Sequence, residues 1–426
     1  MDGDPRVEPQ LDSFSLTFPL PFRVGFIITL AVWGWGLNLH GLQLARIDLP
    51  ALIRYPGRTS PAALSHHLST YRFATVLSAL LGLCLALFWL LTLRDPRRVV
   101  DHGWLPLAYL LALAALFAVP LRNLPGQGRR RFLVTLRRVS VGGLAGARDG
   151  KFGDILLADV LTSYAKVLGD VFVTACMFAS PGGSATDRPN RDCGGVVVVP
   201  LLMAVPSLIR LRQCVIEYLR VRDANSSRHH EESTNGWGGQ HLANALKYAT
   251  ALPVIVTSSM QRSAEAAGDA SAGPGLYRAW LLAVTVNSLY SFYWDVTKDW
   301  DLTLFAPSST AKMLRAPASS HHQPWGLRPR LAFRLPSLYY GVVLLDLLLR
   351  FTWSMKLSPH LDRFSGWEVG IFVVELLEVF RRWVWIFFRA ETEWIRTTSS
   401  PVLGLDDVLL GDYREADGDE EDGEDF

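Results

Sequence analysis

The sequence predicts an all-α protein, a polytopic transmembrane helical bundle of about ten spans, nine of them clear. Three observations carry this. Of the 426 residues, 50% are hydrophobic and only 19% are charged. The apolar residues collect into blocks of about 20, enough to cross a hydrocarbon core at about 1.5 Å per residue. Charged residues also fall inside those blocks at helical offsets, which a bilayer tolerates only where they face protein or water.

In chain order the clear blocks are Phe22–Leu42, Phe73–Leu93, Trp104–Leu121, Ile155–Phe178, Val196–Ile216, Leu242–Met260, Tyr277–Tyr293, Leu338–Met355 and Val369–Phe388. A tenth, Arg131–Gly146 (RFLVTLRRVSVGGLAG), reads either as a short span or as an amphipathic helix in the interface. Loop charge sets the parity. Arg210–Arg228 and Lys298–Arg334 are rich in Arg and Lys, whereas Ser180–Gly195 and Gln261–Gly275 are sparse in them, so the former face the cytosol. Placing the basic loop Arg94–Arg98 inside as well requires the tenth crossing. The expectation is ten spans with both termini cytosolic; nine spans with a surface helix is the alternative.

The chain divides into a short N-terminus (1–21), an apolar N-terminal scaffold part (22–150), a bundle with polar helix faces (151–398) and an acidic tail (399–426) expected to be disordered. Met1–Leu20 lacks the basic and apolar regions of a secretory signal. The cysteines Cys84, Cys176, Cys193 and Cys214 show no metal or redox spacing and read as small hydrophobes, without a disulfide framework. The sequon Asn225-Ser226-Ser227 falls on the cytosolic side and stays unmodified.

The polar residues carry the functional signal. In Phe152–Phe178, residues Asp159, Thr162, Ser163, Lys166 and Asp170 lie on one helical face. The following spans add Arg210 and Arg212; His241, Asn244, Lys247 and Tyr248; Asn287, Ser291 and Asp295 with Lys298 or Asp299; Asp346 and Arg350; and Glu368, Glu375, Arg382 and Arg389 with Glu378 and Arg381. Guanidinium groups suit an oxyanion such as phosphate through bidentate bonds, Lys247 adds a point charge, and nearby carboxylates hold the cations in place. Blander readings exist for several residues. Asp346–Arg350 suits an intrahelical pair, Lys166 and Asp170 can pair across one turn, and His241 suits a cap. The pairs His66–His67, His229–His230 and His321–His322 lie in loops, and the tail can be merely solubilising. Polar residues on six consecutive spans are harder to explain without a cavity.

The segments FGDILLADVLTSYAKVLGD, RLRQCVIEY, HLANALKY, NSLYSFYWDVTKDWDL, DLLLRFTW and EVFRRWVWIFFRAETEW resemble successive blocks of the EXS domain. That domain is shared by eukaryotic phosphate exporters and the fungal ER-retention-defective branch. The likeness runs from about Phe22 to Thr398, and the sensing SPX module of the exporters has no counterpart in the short N-terminus. The resemblance implies a multi-pass Golgi protein that returns phosphate released by lumenal glycosylation to the cytosol. It also implies a role in retaining Golgi glycosyltransferases and lumenal ER proteins. Carried over by motif, its phosphate path falls on Asp159, Thr162, Arg210, Lys247, Tyr248, Asp295, Asp299, Arg350, Arg381 and Arg382. Thr162 stands where the exporters tend to have Asn, and Arg212 competes with Arg210 for the path-facing position.

The expected partners are inorganic phosphate and membrane lipids, with Golgi glycosyltransferases, a coat adaptor and a homodimer through the N-terminal spans as further ones. No cofactor, metal or nucleic acid is expected. No P-loop, HExxH or nucleophile elbow points to an enzyme. The rival reading is a sorting scaffold whose cytosolic loops and acidic tail bind glycosyltransferases, with no significant transport.

Overall fold

The computed structural model describes residues 13–54, 65–119, 126–146, 149–181, 183–227, 238–268, 273–305, 324–353 and 368–399. The described residues are helical, with no strand among them. The acidic tail, the pairs His229–His230 and His321–His322, and most of the N-terminus lie outside them.

The helices are α1 Ser13–Thr17, α2 Leu20–Leu44, α3 Leu49–Leu52, α4 His66–Thr92, α5 Pro96–Asp101, α6 Trp104–Ala118 and α7 Gly126–Arg137, which runs into a π-helical turn at Arg138–Gly142. Then come α8 Lys151–Ser163, α9 Ala165–Ala179, α10 Val198–Ser227, α11 Gly239–Ala249, α12 Ala251–Ala266 and α13 Gly273–Trp294, continued by a π-helical turn Asp295–Asp299. The last two are α14 Pro336–Arg350 and α15 Glu368–Ser399.

α15 has 32 residues, about 48 Å at the α-helical rise, and serves as a ruler for the bundle. At its start Glu368 accepts from Arg23 of α2 at 2.6 Å, and Phe372 packs on Phe14 and Phe18. Farther along, Phe387 meets Gly41, so α2 runs parallel to α15. α4 returns antiparallel, with Phe88 on Phe22, Ser78 accepting from the Trp33 indole and His67 stacked on His40. Glycines allow this close packing: a Cβ at Gly25 would collide with the Tyr109 ring and one at Gly36 with the Tyr71 ring. Leu93 in the left-handed region (φ 50°) ends α4, and the Asp95 side chain accepts from the Arg97 backbone N–H at 3.0 Å to start α5.

From α8 onward each pass reverses the one before. Phe152 lies under the Arg389 guanidinium, Ser163 meets Glu378, and Asp170 faces Arg191 of the following loop. α10 turns back along α9 and α8, pairing Arg210 with Asp159 and Glu217 with Lys151. α11–α12, α13, α14 and α15 continue the alternation. The described residues thus form nine helical passes.

Of the two readings, ten spans or nine with a surface helix, the described helices match the second. α7 and its π turn lie across one end of the bundle instead of crossing it. Arg129 caps the end of α6 through the carbonyls of Leu116 and Val119, Arg131 reaches the Ile53 carbonyl at 3.4 Å, and Arg138 pairs with Asp154. A segment holding Arg129, Arg130, Arg131, Arg137 and Arg138 costs too much to bury in hydrocarbon and gains partners at the helix ends. With nine passes, Leu20 and Ser399 lie at opposite ends of the bundle. The loop Arg94–Arg98 also sits opposite its expected end: the Val99 and Val100 carbonyls of α5 accept from Thr186 and Ser184 of the loop after α9.

A second correction concerns cysteine. Cys176 and Cys193 form a disulfide with Cα atoms 6.0 Å apart, while Cys84 and Cys214 are free. The chain turns sharply after α9 and brings back a cysteine 17 residues on, a spacing that carries no motif. The end holding this bond is called the disulfide end below, and the end holding α7, Lys151 and Asp154 the basic end.

Among the described residues, three helices are long and apolar enough to cross a membrane on length and composition: Leu20–Leu44, His66–Thr92 and Val198–Asp223. The remaining passes are shorter, interrupted or, as in the 32-residue α15, too rich in charge to meet that measure. Phe152–Phe178, expected as one helix, breaks at Tyr164, and Leu242–Met260 breaks at Thr250. The Thr250 hydroxyl bonds the Lys247 carbonyl at 2.7 Å and Asn287 at 2.9 Å, partnering backbone that the break would otherwise leave bare. Non-helical backbone at membrane depth is tolerated where it is buried in protein or lines a polar cavity.

Candidate functional site

The breaks and the π-helical turn surround one polar layer at mid-height. Asp295 and Asp299 are four residues apart in the π turn and both point inward, buried. Their partner Lys247 comes from the last turn of α11, its Nζ 2.9 Å from Asp295 and 3.1 Å from Asp299. Asp295 also accepts from Arg350 of α14 and lies 3.5 Å from Arg381 of α15. Arg350 holds Asp346 at 3.0 Å, the expected pair one turn apart, yet Asp346 is shared with Arg381, also at 3.0 Å. Arg381 then grips Glu378 with two nitrogens, at 2.6 and 2.9 Å.

Against this chain stands a second group. Asp159 of α8 accepts from Arg210 at 2.7 Å and from the Tyr248 hydroxyl, and the Arg210 guanidinium lies 4.8 Å from the Tyr248 ring centroid. Gln213 takes a second Arg210 nitrogen at 2.7 Å. Arg210 therefore faces the interior. Arg212 instead reaches the Val139 carbonyl at 2.6 Å, fastening α10 to the π turn after α7.

Arg382 joins the two groups and differs from every other cation in the layer. The residue is 5% exposed, and its guanidinium donates to the hydroxyls of Ser163 at 3.0 Å and Thr162 at 3.2 Å and lies over the Trp385 ring at 4.6 Å. Among the described residues it makes no ion pair within 4.0 Å, and its Nη1 is buried without a hydrogen-bond partner.. The Gln213 Nε2 and the Asn244 Oδ1, one turn before Lys247, are likewise unpartnered. A buried guanidinium that lacks a carboxylate is costly, and an anion seated beside it would offset that cost.

All ten residues expected along the path, Asp159, Thr162, Arg210, Lys247, Tyr248, Asp295, Asp299, Arg350, Arg381 and Arg382, thus fall in one layer. Asp346, Glu378 and Ser163 belong with them, as shared acceptors and as a hydroxyl contact of Arg382. Each sat in a polar stripe, but the stripe alone did not show which neighbours it would meet across helices. Arg389, paired with Glu393 at 3.0 Å and 4.0 Å from Asp299, closes the layer toward the basic end. Lys166 leaves the expected stripe: past the break at Tyr164 it is exposed, and Asp170 pairs with Arg191 instead, at 3.8 Å.

A separate cluster closes the disulfide end, where Glu368 accepts from both Arg23 and Arg191. Burial raises the Glu368 pKa, but the Arg191 and Arg23 bonds outweigh it and hold the carboxyl below the ordinary glutamate value. Among the described residues no group of three or more His, Cys, Asp or Glu is placed to hold a metal.

The model of the EXS family matches residues 18–395. The chain belongs to the EXS family. Its relatives include Protein ERD1 homolog 2 of Schizosaccharomyces pombe, 28% identical over 87% of this chain and 95% of the relative. Protein ERD1 of Kluyveromyces lactis is 32% identical over 57% of this chain and 59% of its own length. Human solute carrier family 53 member 1 is 25% identical over 91% of this chain and 53% of its own length. The EXS match spans all nine passes, so the polar layer and the apolar helices around α2, α4 and α6 lie within one EXS unit.

Proposed function

We propose that this EXS protein carries inorganic phosphate across a Golgi membrane through the polar layer, returning it from lumen to cytosol. The observation that carries the reading is Arg382, a desolvated guanidinium with hydroxyl partners, no carboxylate and an open Nη1. Phosphate suits this donor: its oxygens accept where the Arg382 Nη1 has no protein partner, and Lys247, Arg350 and Arg381 stand in the same layer.

Carboxylate sharing supplies a way to pass the anion on. Arg381 and Arg350 are held by Asp295, Asp346 and Glu378, so each can exchange a carboxylate contact for a phosphate oxygen without either charge being left bare. Asp159 and Tyr248 hold Arg210 in the same manner on the facing wall. These carboxylates position the cations.

Two observations support an orientation in the membrane. Arg and Lys concentrate in the segments at the basic end, and the disulfide lies at the other, as an oxidising lumen requires. On this reading the basic end is cytosolic, and nine passes put the N-terminus in the lumen and the C-terminus in the cytosol. The ERD1 relatives support work in the secretory pathway, and phosphate return would sustain glycosylation and with it retention of Golgi glycosyltransferases and lumenal ER proteins. The direct test is phosphate flux from proteoliposomes containing the purified protein. Saturable flux above that of protein-free vesicles is expected; equal flux from both would overturn the reading.

A further inference from the structure

At the basic end, well away from the polar layer, the last turn of α2 and the entry into α14 enclose a groove of about 600 Å³. It is lined by Leu44, Ala45 and Arg46 from α2 and its end, and by Ala332, Phe333, Arg334, Leu335 and Leu338 on the other side. Leu44 is 75% and Leu335 66% exposed. Both arginines are exposed, and among the described residues neither side chain has an ion pair or hydrogen bond. Five other arginines of this end, Arg129, Arg138, Arg212, Arg220 and Arg328, are tied down by hydrogen bonds.

The groove lies where two membrane passes end, so its open side meets the boundary between acyl chains and headgroups. Apolar walls and two free guanidiniums lining one groove are complementary to an amphiphile with a negative head. Basic pockets between helices on the cytosolic side bind such headgroups. Arg46 has a left-handed backbone (φ 62°), uncommon for a residue with a Cβ, and follows directly on the end of α2.

We propose that this groove binds one anionic glycerophospholipid of the adjoining leaflet. Its phosphate lies between Arg46 and Arg334, and the glycerol and first methylenes lie against Leu44, Leu335 and Leu338. The volume admits a headgroup and the start of the chains, and the rest of the chains run along the outer faces of α2 and α14. The lipid would also brace the Ala332–Phe333 strap, whose backbone N–H groups donate to Glu391 of α15 at 2.6 and 3.4 Å. The site is independent of whether phosphate crosses the protein.

The test is native mass spectrometry of the full chain in detergent, with dioleoylphosphatidylserine or dioleoylphosphatidylcholine added. The wild type should retain one phosphatidylserine in preference to phosphatidylcholine. The double variant Arg46→Ala/Arg334→Ala should lose affinity for it by about thirtyfold, the product of two juxtamembrane basic contacts. Arg94→Ala/Arg97→Ala, an exposed pair at the other end, should retain it. Equal retention by the Arg46/Arg334 variant, or no preference for phosphatidylserine, would overturn the proposal. So would displacement of the lipid by millimolar inorganic phosphate, which would mark a free-anion site. A photoactivatable phosphatidylserine on the wild type gives a readout that needs no variant: adducts should map to Leu335–Leu338, and adducts confined to other passes would overturn the assignment.

Discussion

Replacing Arg382 by Ala separates binding from architecture, because Arg382 and its neighbour Arg381 are held so differently. Arg381 is bound to Glu378 and Asp346 and lies near Asp295, so Arg381→Ala strands buried carboxylates. Breaking a buried pair in this way costs about 3–5 kcal/mol. Arg382 has no carboxylate to strand; its loss removes two hydroxyl contacts and the Trp385 stack, and relieves the burial of an unpaired charge. Stability should therefore change by no more than about 1 kcal/mol, within the range of a single net hydrogen bond. A charge-assisted bond from Arg382 to phosphate contributes about 1.5–3 kcal/mol, so half-saturating phosphate in the variant should rise about 10- to 150-fold. The assay is phosphate flux from proteoliposomes across a concentration series, with thermal unfolding measured on the same preparations. Unchanged flux parameters for Arg382→Ala would refute the reasoning, as would a loss of stability equal to that of Arg381→Ala.

Other expectations are independent of flux. A tag at the C-terminus should be digested when protease is added to sealed, cytosol-side-out vesicles, and a tag at the N-terminus protected; both digested would restore an even number of passes. Asn225 should carry no glycan, so glycosidase treatment should not shift the mobility of the wild type. Replacing Cys176 and Cys193 together by Ser opens a covalent loop of 17 residues and should cost roughly 3 kcal/mol on a chain-entropy basis, read by denaturant unfolding. Glu368 has a lowered pKa in the fold, so its stabilisation is fully present above the unfolded glutamate value, about 4.3, and is lost as pH falls through the lower folded value. Thermal unfolding below that pH should flatten in Glu368→Gln relative to wild type, and identical acid profiles would assign the acid sensitivity elsewhere.

The chemistry of the polar layer was legible in the sequence because a bilayer makes interior charge expensive. Lys247, Asp295, Arg350 and Arg381 had to face protein, and helical spacing put each on a stripe. The partner across helices was not legible. Asp346 and Arg350 satisfy one another one turn apart, and only the approach of α15 makes Asp346 a shared acceptor for Arg381. The helix breaks were hidden for a related reason: Tyr164 and Thr250 are neither Gly nor Pro, and their interruptions depend on tertiary partners such as Asn287. The tenth crossing rested on treating Arg94–Arg98 as an inside loop. Short loop charge is a statistical guide, and here Ser184 and Thr186 hold α5 at the disulfide end. The cysteine pair was missed because a separation of 17 residues carries no motif.

The most direct measurement is a pair of cryo-electron microscopy maps of the full chain in lipid, one with phosphate and one without. The account predicts a tetrahedral feature in the phosphate map within hydrogen-bonding reach of the Arg382 Nη1. A phosphate map with that nitrogen still unoccupied, or with a carboxylate turned onto it, would contradict the claim that Arg382 is held open for an anion.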